Sequence, residues 1–151
     1  MDHFQLKHGI LHAEDVPIDR IADEVGTPVY IYSHATLTRH ARVFRDALSV
    51  LPRVHLAFAV KSNPNLAVLK GVQREGYGAD VVSEGEMRRA LAAGMRARDI
   101  VFSGVGKSAA ELAAGLEAGI GQFNLESEEE GLERAALAAA RGIRAVAALR
   151  V

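Results

Sequence analysis

The 151-residue chain contains no cysteine. That excludes a disulfide framework and thiolate metal sites, and it is compatible with a reducing compartment. Neither sign of charge is in surplus: 18 Lys and Arg against 19 Asp and Glu leave a net charge of -1. With no basic run, nothing points to nucleic acid or an anionic membrane as a partner. The chain also lacks an apolar run of the ~20 residues that a membrane-spanning helix requires. Its N-terminus, MDHFQLKHGILHAEDV, is polar and carries three histidines, without the charged-then-apolar plan of a secretory signal. The expected location is the cytoplasm. The six histidines show no ligand spacing. His3, His8 and His12 read as solvated residues of an N-terminal arm, and no metal site is expected.

What is present is ordinary globular composition, 49% hydrophobic and 25% charged, with enough chain to bury one core. Beyond residue 50 short β-rich runs alternate with Ala/Leu/Glu-rich helical runs. Strands are predicted over residues 54–60, 79–82, 100–103, 122–126 and 145–151, and helices over 64–75, 84–93, 109–118 and 128–141. Pro64 suits a first helical position behind Asn63 as N-cap. Gly76, Gly94, Gly119 and Gly142 suit helix C-termini. Ser83-Glu-Gly-Glu86, Ser108-Ala-Ala-Glu111 and Ser127-Glu-Glu-Glu130 each read S-x-x-E, the capping box. Such regular βα alternation implies a parallel sheet, closed or open.

The first fifty residues differ. Residues 1–26 read as an extended arm plus a short helix near 18–24. Thr27-Pro28 opens a β-rich run, Val29-Tyr-Ile-Tyr32, and Ser33 suits the N-cap of a helix reaching about Leu48. Residues 1–26 are expected to form a structural unit different from the alternating part.

Strand parity directs attention to one face. Side chains alternate along a strand, so Val54, Leu56, Phe58 and Val60 share one side, and His55, Ala57, Ala59 and Lys61 the other. If helices cover the bulky side, Lys61 ends a face kept small by alanine, with room for something that is not protein. Gln122, Asn124 and Glu126 are likewise polar on one side of their strand. In α/β folds ligand sites gather at strand C-termini. Lys61, Ser83, Ser103, Glu126 and Arg150 all fall near such ends.

Each candidate has two readings. Lys61 suits a Schiff-base lysine, since a desolvated amine is nucleophilic toward an aldehyde, or a strand-end lysine reaching solvent. Asp80, in a strand where aspartate is disfavoured, either balances a cation or is a solvated edge residue. Ser83 and Glu86 are accounted for by capping. Arg150 suits a carboxylate or phosphate. Gly104-Val-Gly-Lys-Ser108 tempts a phosphate-loop reading, but Val101 stands where a Walker A loop needs glycine. A tight βα turn before a capped helix is the sounder reading.

The assembled segments resemble the N-terminal part of the fold-type III pyridoxal-phosphate decarboxylases. F-A-V-K-S-N-P-N-L-A-V-L, Phe58 to Leu69, is like the family's segment around its cofactor lysine. G-A-D-V-V-S-E-G-E at Gly78–Glu86, F-S-G-V-G-K-S at Phe102–Ser108, F-N-L-E-S at Phe123–Ser127 and A-L-R-V at Ala148–Val151 follow in order. T-P-V-Y-I-Y at Thr27–Tyr32 matches the family's opening. The resemblance implies an α/β fold, namely a partial TIM-type (β/α)8 barrel of the alanine racemase-like class, cut after about five strands. Residues 1–33 would then be an arm and strand of the family's β-domain, and residues 34–151 the incomplete N-terminal portion of its cofactor-binding barrel. It implies pyridoxal 5'-phosphate as cofactor, with Lys61 as the Schiff-base lysine. Ala59 would pack near the ring, Asp80 would hold the lysine and cofactor environment, and Arg150 would line the site.

The activity implied is decarboxylation of a small amino-acid substrate. F-S-G-V-G-K-S and F-N-L-E-S lean toward meso-diaminopimelate as substrate and L-lysine as product. Rivals are an enzyme of the same class acting on ornithine, arginine or a carboxylated polyamine, and a non-catalytic paralogue that carries the cofactor. The family's ring-stacking histidine, glycine-rich phosphate loop and acid for the pyridine nitrogen have no counterpart here. The expectation is therefore an N-terminal fragment, inactive and aggregation-prone by itself, of a protein that is a homodimer when full length.

Overall fold

A computed structural model describes residues 2–150. The chain divides into two compact units, Met1–Val50 and Leu51–Val151. In the first, β1 (Phe4–Lys7), β2 (Ile10–Ala13) and β3 (Val16–Pro17) form an antiparallel meander followed by α1 (Ile18–Val25). The expected arm is thus a small sheet. Its histidines are only partly free: His3 Nδ1 lies 2.9 Å from Thr36 Oγ1, and His12 Nδ1 2.9 Å from the Ile10 carbonyl. Helix α2 (His34–Ala47) starts as predicted, with the Ser33 hydroxyl accepting from the Thr36 N–H at 3.0 Å. The run Val29–Tyr32 forms no strand, because an extended segment needs a ladder partner. Tyr30 is 89% exposed there.

The second unit is a five-stranded parallel sheet in the order β4 (Ala57–Ala59), β5 (Gly78–Val81), β6 (Ile100–Phe102), β7 (Gln122–Leu125), β8 (Ala147–Leu149). Helices α3 (Leu66–Arg74), α4 (Glu84–Ala92), α5 (Ala109–Ala118) and α6 (Glu128–Ala140) connect them. Strand order equals chain order throughout. That is the singly wound order of a β/α barrel; a doubly wound sheet reverses at a switch point. Ala79 and Val81, Ile100 and Phe102, and Phe123 and Leu125 form the buried face beneath the helices. The opposite side carries Asp80, Val101, Gln122 and Asn124, all half-buried. Close backbone crossings seat the strand starts: a Cβ on Gly78 would lie 1.9 Å from the Asp99 carbonyl oxygen, and one on Gly121 2.0 Å from that of Arg98.

Three local expectations change. The strand over 54–60 shrinks to Ala57–Ala59, since a 3₁₀ turn over Val60–Ser62 follows, closed by the Ser62 hydroxyl on the Ala59 carbonyl at 2.7 Å. Lys61 therefore sits on a turn just past the strand. Helix α3 begins after Asn65, whose side chain accepts from the Ala67 N–H at 2.8 Å. Pro64 stands outside the helix because the Asn63 side chain turns the chain there, accepting from the Asn65 N–H at 3.0 Å. Of the three S-x-x-E sequences only Ser108/Glu111 closes both bonds of the box. All three serines accept from the N3 amide, but Glu86 takes the Val82 N–H at 2.9 Å, and Glu130 turns inward to Lys107.

Candidate active site

The C-terminal ends of the parallel strands gather the predicted residues by register. Ala59 lies opposite Asp80 on the neighbouring strand, and Lys61 follows two residues beyond Ala59. Lys61 is exposed, and among the described residues no carboxylate lies within ion-pair distance of it, Asp80 included. Ala57 and Ala59 leave the strand's open side without bulk. The structure thus brings Ala59 and Asp80 together, and leaves the Lys61 amine without a counter-ion.

Asp80 is held by a chain of side chains that parity alone did not connect. The Ser103 hydroxyl donates to Asp80 Oδ1 at 2.5 Å, Asn124 Nδ2 donates to Ser103 Oγ at 2.9 Å, and Gln122 Nε2 donates to Asn124 Oδ1 at 2.7 Å. Asp80 Oδ2 has no hydrogen-bond partner among the described residues. The signal for this chain was the alternation of Gln122 and Asn124 with Phe123 and Leu125. It marked a polar face without saying what the face would grip.

Arg150 lies on the far side of the sheet from Lys61 and touches neither it nor Asp80. Its Nη1 is 3.3 Å from Glu126 Oε1, which also accepts the Gly104 N–H at 3.0 Å. Desolvation works to raise the Glu126 pKa. The Gly104 amide, the Arg150 hydrogen bond and the charges of Arg150 and Lys107 outweigh it and hold the carboxyl below its ordinary value.

The loop between β6 and α5 is a turn with a buried anchor. Gly104 and Gly106 have φ of 97° and 74°, open to glycine without strain. Lys107 points inward, its side chain 1% exposed, with Nζ 2.7 Å from Glu130 Oε1 and 2.5 Å from the Gly104 carbonyl. The Glu130 contact is ionic, since its angles fall outside hydrogen-bond geometry. The ammonium also lies 5.9 Å from the centre of the Phe102 ring. A phosphate-binding lysine must be free to reach its ligand, and this one is spent on the protein. Ser83 likewise acts as a cap, accepting from the Glu86 N–H at 3.3 Å. No group of three His, Asp or Glu residues placed to hold a metal occurs among the described residues. No helix among them is long and apolar enough to cross a membrane.

Comparison with known proteins agrees with this geometry. The family described as "Pyridoxal-dependent decarboxylase, pyridoxal binding domain" matches residues 35–151. The diaminopimelate decarboxylase of Zymomonas mobilis is 51% identical over 98% of this chain, and that of Pseudomonas fluorescens is 47% identical over 100% of it. The chain spans 36% of the length of each of these relatives. The crystal structure of diaminopimelate decarboxylase from M. jannaschii in complex with L-lysine superposes with a TM-score of 0.88, at 30% identity, over 97% of this chain and 35% of that one. The sheet of the second unit thus has the TIM-barrel-like architecture of these enzymes. The chain belongs to the pyridoxal-dependent decarboxylases, whose cofactor is pyridoxal 5'-phosphate, and corresponds to the N-terminal part of its diaminopimelate-decarboxylating relatives.

Proposed function

We propose that this chain supplies the lysine-bearing part of a decarboxylase that converts meso-2,6-diaminopimelate into L-lysine and carbon dioxide. The observation that carries the reading is Lys61: a primary amine without a counter-ion, at the C-terminal end of a strand whose open side is alanine. Exposed Lys70 lies within helix α3, whereas Lys61 stands just past β4, two residues beyond Ala59, the register partner of Asp80. The identity to relatives that bear the diaminopimelate decarboxylase name supports the substrate.

The donor set fits the cofactor's aldehyde. When bound, pyridoxal phosphate supplies a carbonyl carbon for amines and a ring that takes up the electron pair left as carbon dioxide departs. The chain's own residues prepare for that chemistry. Lys61 offers the amine that binds the carbonyl, and Ala57 and Ala59 leave room for a flat ring. Asp80 puts a carboxylate on the same open face, where it favours positive charge on a nitrogen nearby. Glu126 orients Arg150 toward the strand ends, where a guanidinium pairs with a carboxylate or phosphate. The complete protein works in this reading as a cytoplasmic homodimer, with residues 1–33 as part of a separate β-domain and 34–151 as the start of the barrel.

The test uses the small number of amines. The chain has four lysines, Lys7, Lys61, Lys70 and Lys107. Lys107 is buried against Glu130, and Lys7 is 2.8 Å from Asp15, so exposed Lys70 is the control. Incubation with pyridoxal phosphate, borohydride reduction and peptide mapping should place the label on Lys61. Equal labelling of Lys61 and Lys70 would sink the reading. Carbon dioxide release from meso-diaminopimelate, measured against ornithine and arginine with the complete gene product, tests the substrate.

A further inference from the structure

The chain Gln122–Asn124–Ser103–Asp80 has one direction. A serine hydroxyl has a single proton, and an ionised carboxylate can only accept. With the Ser103 proton given to Asp80 Oδ1 at 2.5 Å, Ser103 Oγ must accept from position 124. That turns the Asn124 amide nitrogen toward Ser103 and its carbonyl oxygen toward the Gln122 amide, 2.7 Å away. The charge on Asp80 thus sets every proton in a line crossing β5, β6 and β7. These residues share the sheet's open face, away from the helices, so the helical core does not require them to be polar. A strand face needs no such line for stability; apolar residues there would serve. The line grips one oxygen of Asp80 and leaves the other free.

We infer that Ser103 and Asn124 are positioning residues for Asp80. They hold Oδ1 so that Oδ2 stays presented, as a fixed anion, to the positively charged nitrogen of a carbonyl cofactor bound at Lys61. The inference rests on the reading of Lys61 given above. Asn124 acts only through Ser103: replaced by an isosteric carboxylate, it can no longer donate, and it competes with Asp80 for the serine proton.

Two readouts on Ser103→Ala, Asn124→Asp and the conservative Ser103→Thr test this. The first is the Kd for pyridoxal phosphate of cofactor-stripped protein. Ser103→Ala and Asn124→Asp should each weaken binding about tenfold, while Ser103→Thr, which keeps the donor, stays within about twofold of the parent. The second needs no cofactor: carbodiimide labelling of Asp80, mapped by mass spectrometry, should quicken in Ser103→Ala and Asn124→Asp and not in Ser103→Thr. Unchanged labelling in the first two variants overturns the inference. So does an equal effect of all three variants accompanied by a fall in Tm, which would mean the line only supports the fold. If the parent protein takes up no cofactor at Lys61 while the labelling changes as expected, the reading of Lys61 fails and the gripping of Asp80 stands, but its presentation to a cofactor is refuted.

Discussion

The two faces of β5, β6 and β7 are made from alternate residues of the same strands and follow opposite rules. Toward the helices stand Ala79, Val81, Ile100, Phe102, Phe123 and Leu125, all buried and apolar. Toward the open side stand Asp80, Ser103, Gln122 and Asn124, joined by directed hydrogen bonds. The first face gains from area removed from water, which is non-directional, so any well-packed apolar set serves it. The second depends on donors and acceptors in fixed places, so a replacement preserves it only by keeping the same donor or acceptor. Apolar packing and directed hydrogen bonding thus occupy one stretch of sequence with a period of two.

Breaking the helix-facing side should cost most. Phe102 is fully buried, its ring centre 6.2 Å from that of Phe123. Phe102→Ala should lower the unfolding free energy by about 4 kcal/mol, read from denaturant midpoints. Loss of less than about 1 kcal/mol would show that the helices do not pack on this face as described.

Next comes the polar intrusion into the apolar side. Lys107→Met strands the Glu130 carboxylate, 8% exposed, without its cation. The expected loss is about 3 kcal/mol, and pairing it with Glu130→Leu should restore most of it, because the pair contributes little beyond an apolar replacement. A double variant as unstable as the single one would mean that the pair is needed for the shape of residues 104–107.

Much of this was legible in the sequence. Parity assigned the two sides of β4 and β7 correctly, because the strand period and the residue types are local, but it did not show that β4 ends at Ala59 and leaves Lys61 on a turn. Chain-order alternation gave the parallel sheet for the same reason. The Lys107–Glu130 pair was hidden by two stronger local signals. Gly104-Val-Gly-Lys-Ser108 reads as a tight turn before a capped helix, and Ser127-x-x-Glu130 reads as a capping box. Only tertiary packing of α6 against the β6–α5 loop makes the two side chains partners. The strand expected at Val29–Tyr32 failed in the opposite sense: the propensity was there, but a ladder partner is never a local property. The Ser108 box, by contrast, is local at both ends and was read correctly. Ser108→Ala should cost about 1 kcal/mol, less than either change above, and a loss confined to α5 would appear as faster hydrogen exchange in its first turn.

The smallest expected effect sharpens the comparison at its acidic end, Glu126 against Glu130. Glu126 belongs to the open side and its carboxyl titrates below its ordinary value of 4.5. A lowered folded-state pKa means that the native state binds its proton less readily than the unfolded chain. The stabilisation is therefore complete above that ordinary value and is lost as the pH falls through the lowered one. Glu14, held by the Ala35 amide and the Ser33 hydroxyl, and Glu111, held by the Ser108 and Glu84 amides, act in the same direction. They are common to parent and variant, so they cancel in a difference. Glu126→Gln keeps an acceptor for the Gly104 N–H and removes only the titration. The gap in Tm between parent and variant should be present at neutral pH and close as the solution is acidified into the carboxylate range. Salt should shrink the gap at neutral pH as well, because Arg150 is 66% exposed and its attraction is screened. Absence of a gap at neutral pH would mean that the Gly104 hydrogen bond, which the glutamine keeps, and not the charge shared with Arg150, is what Glu126 contributes to the strand ends.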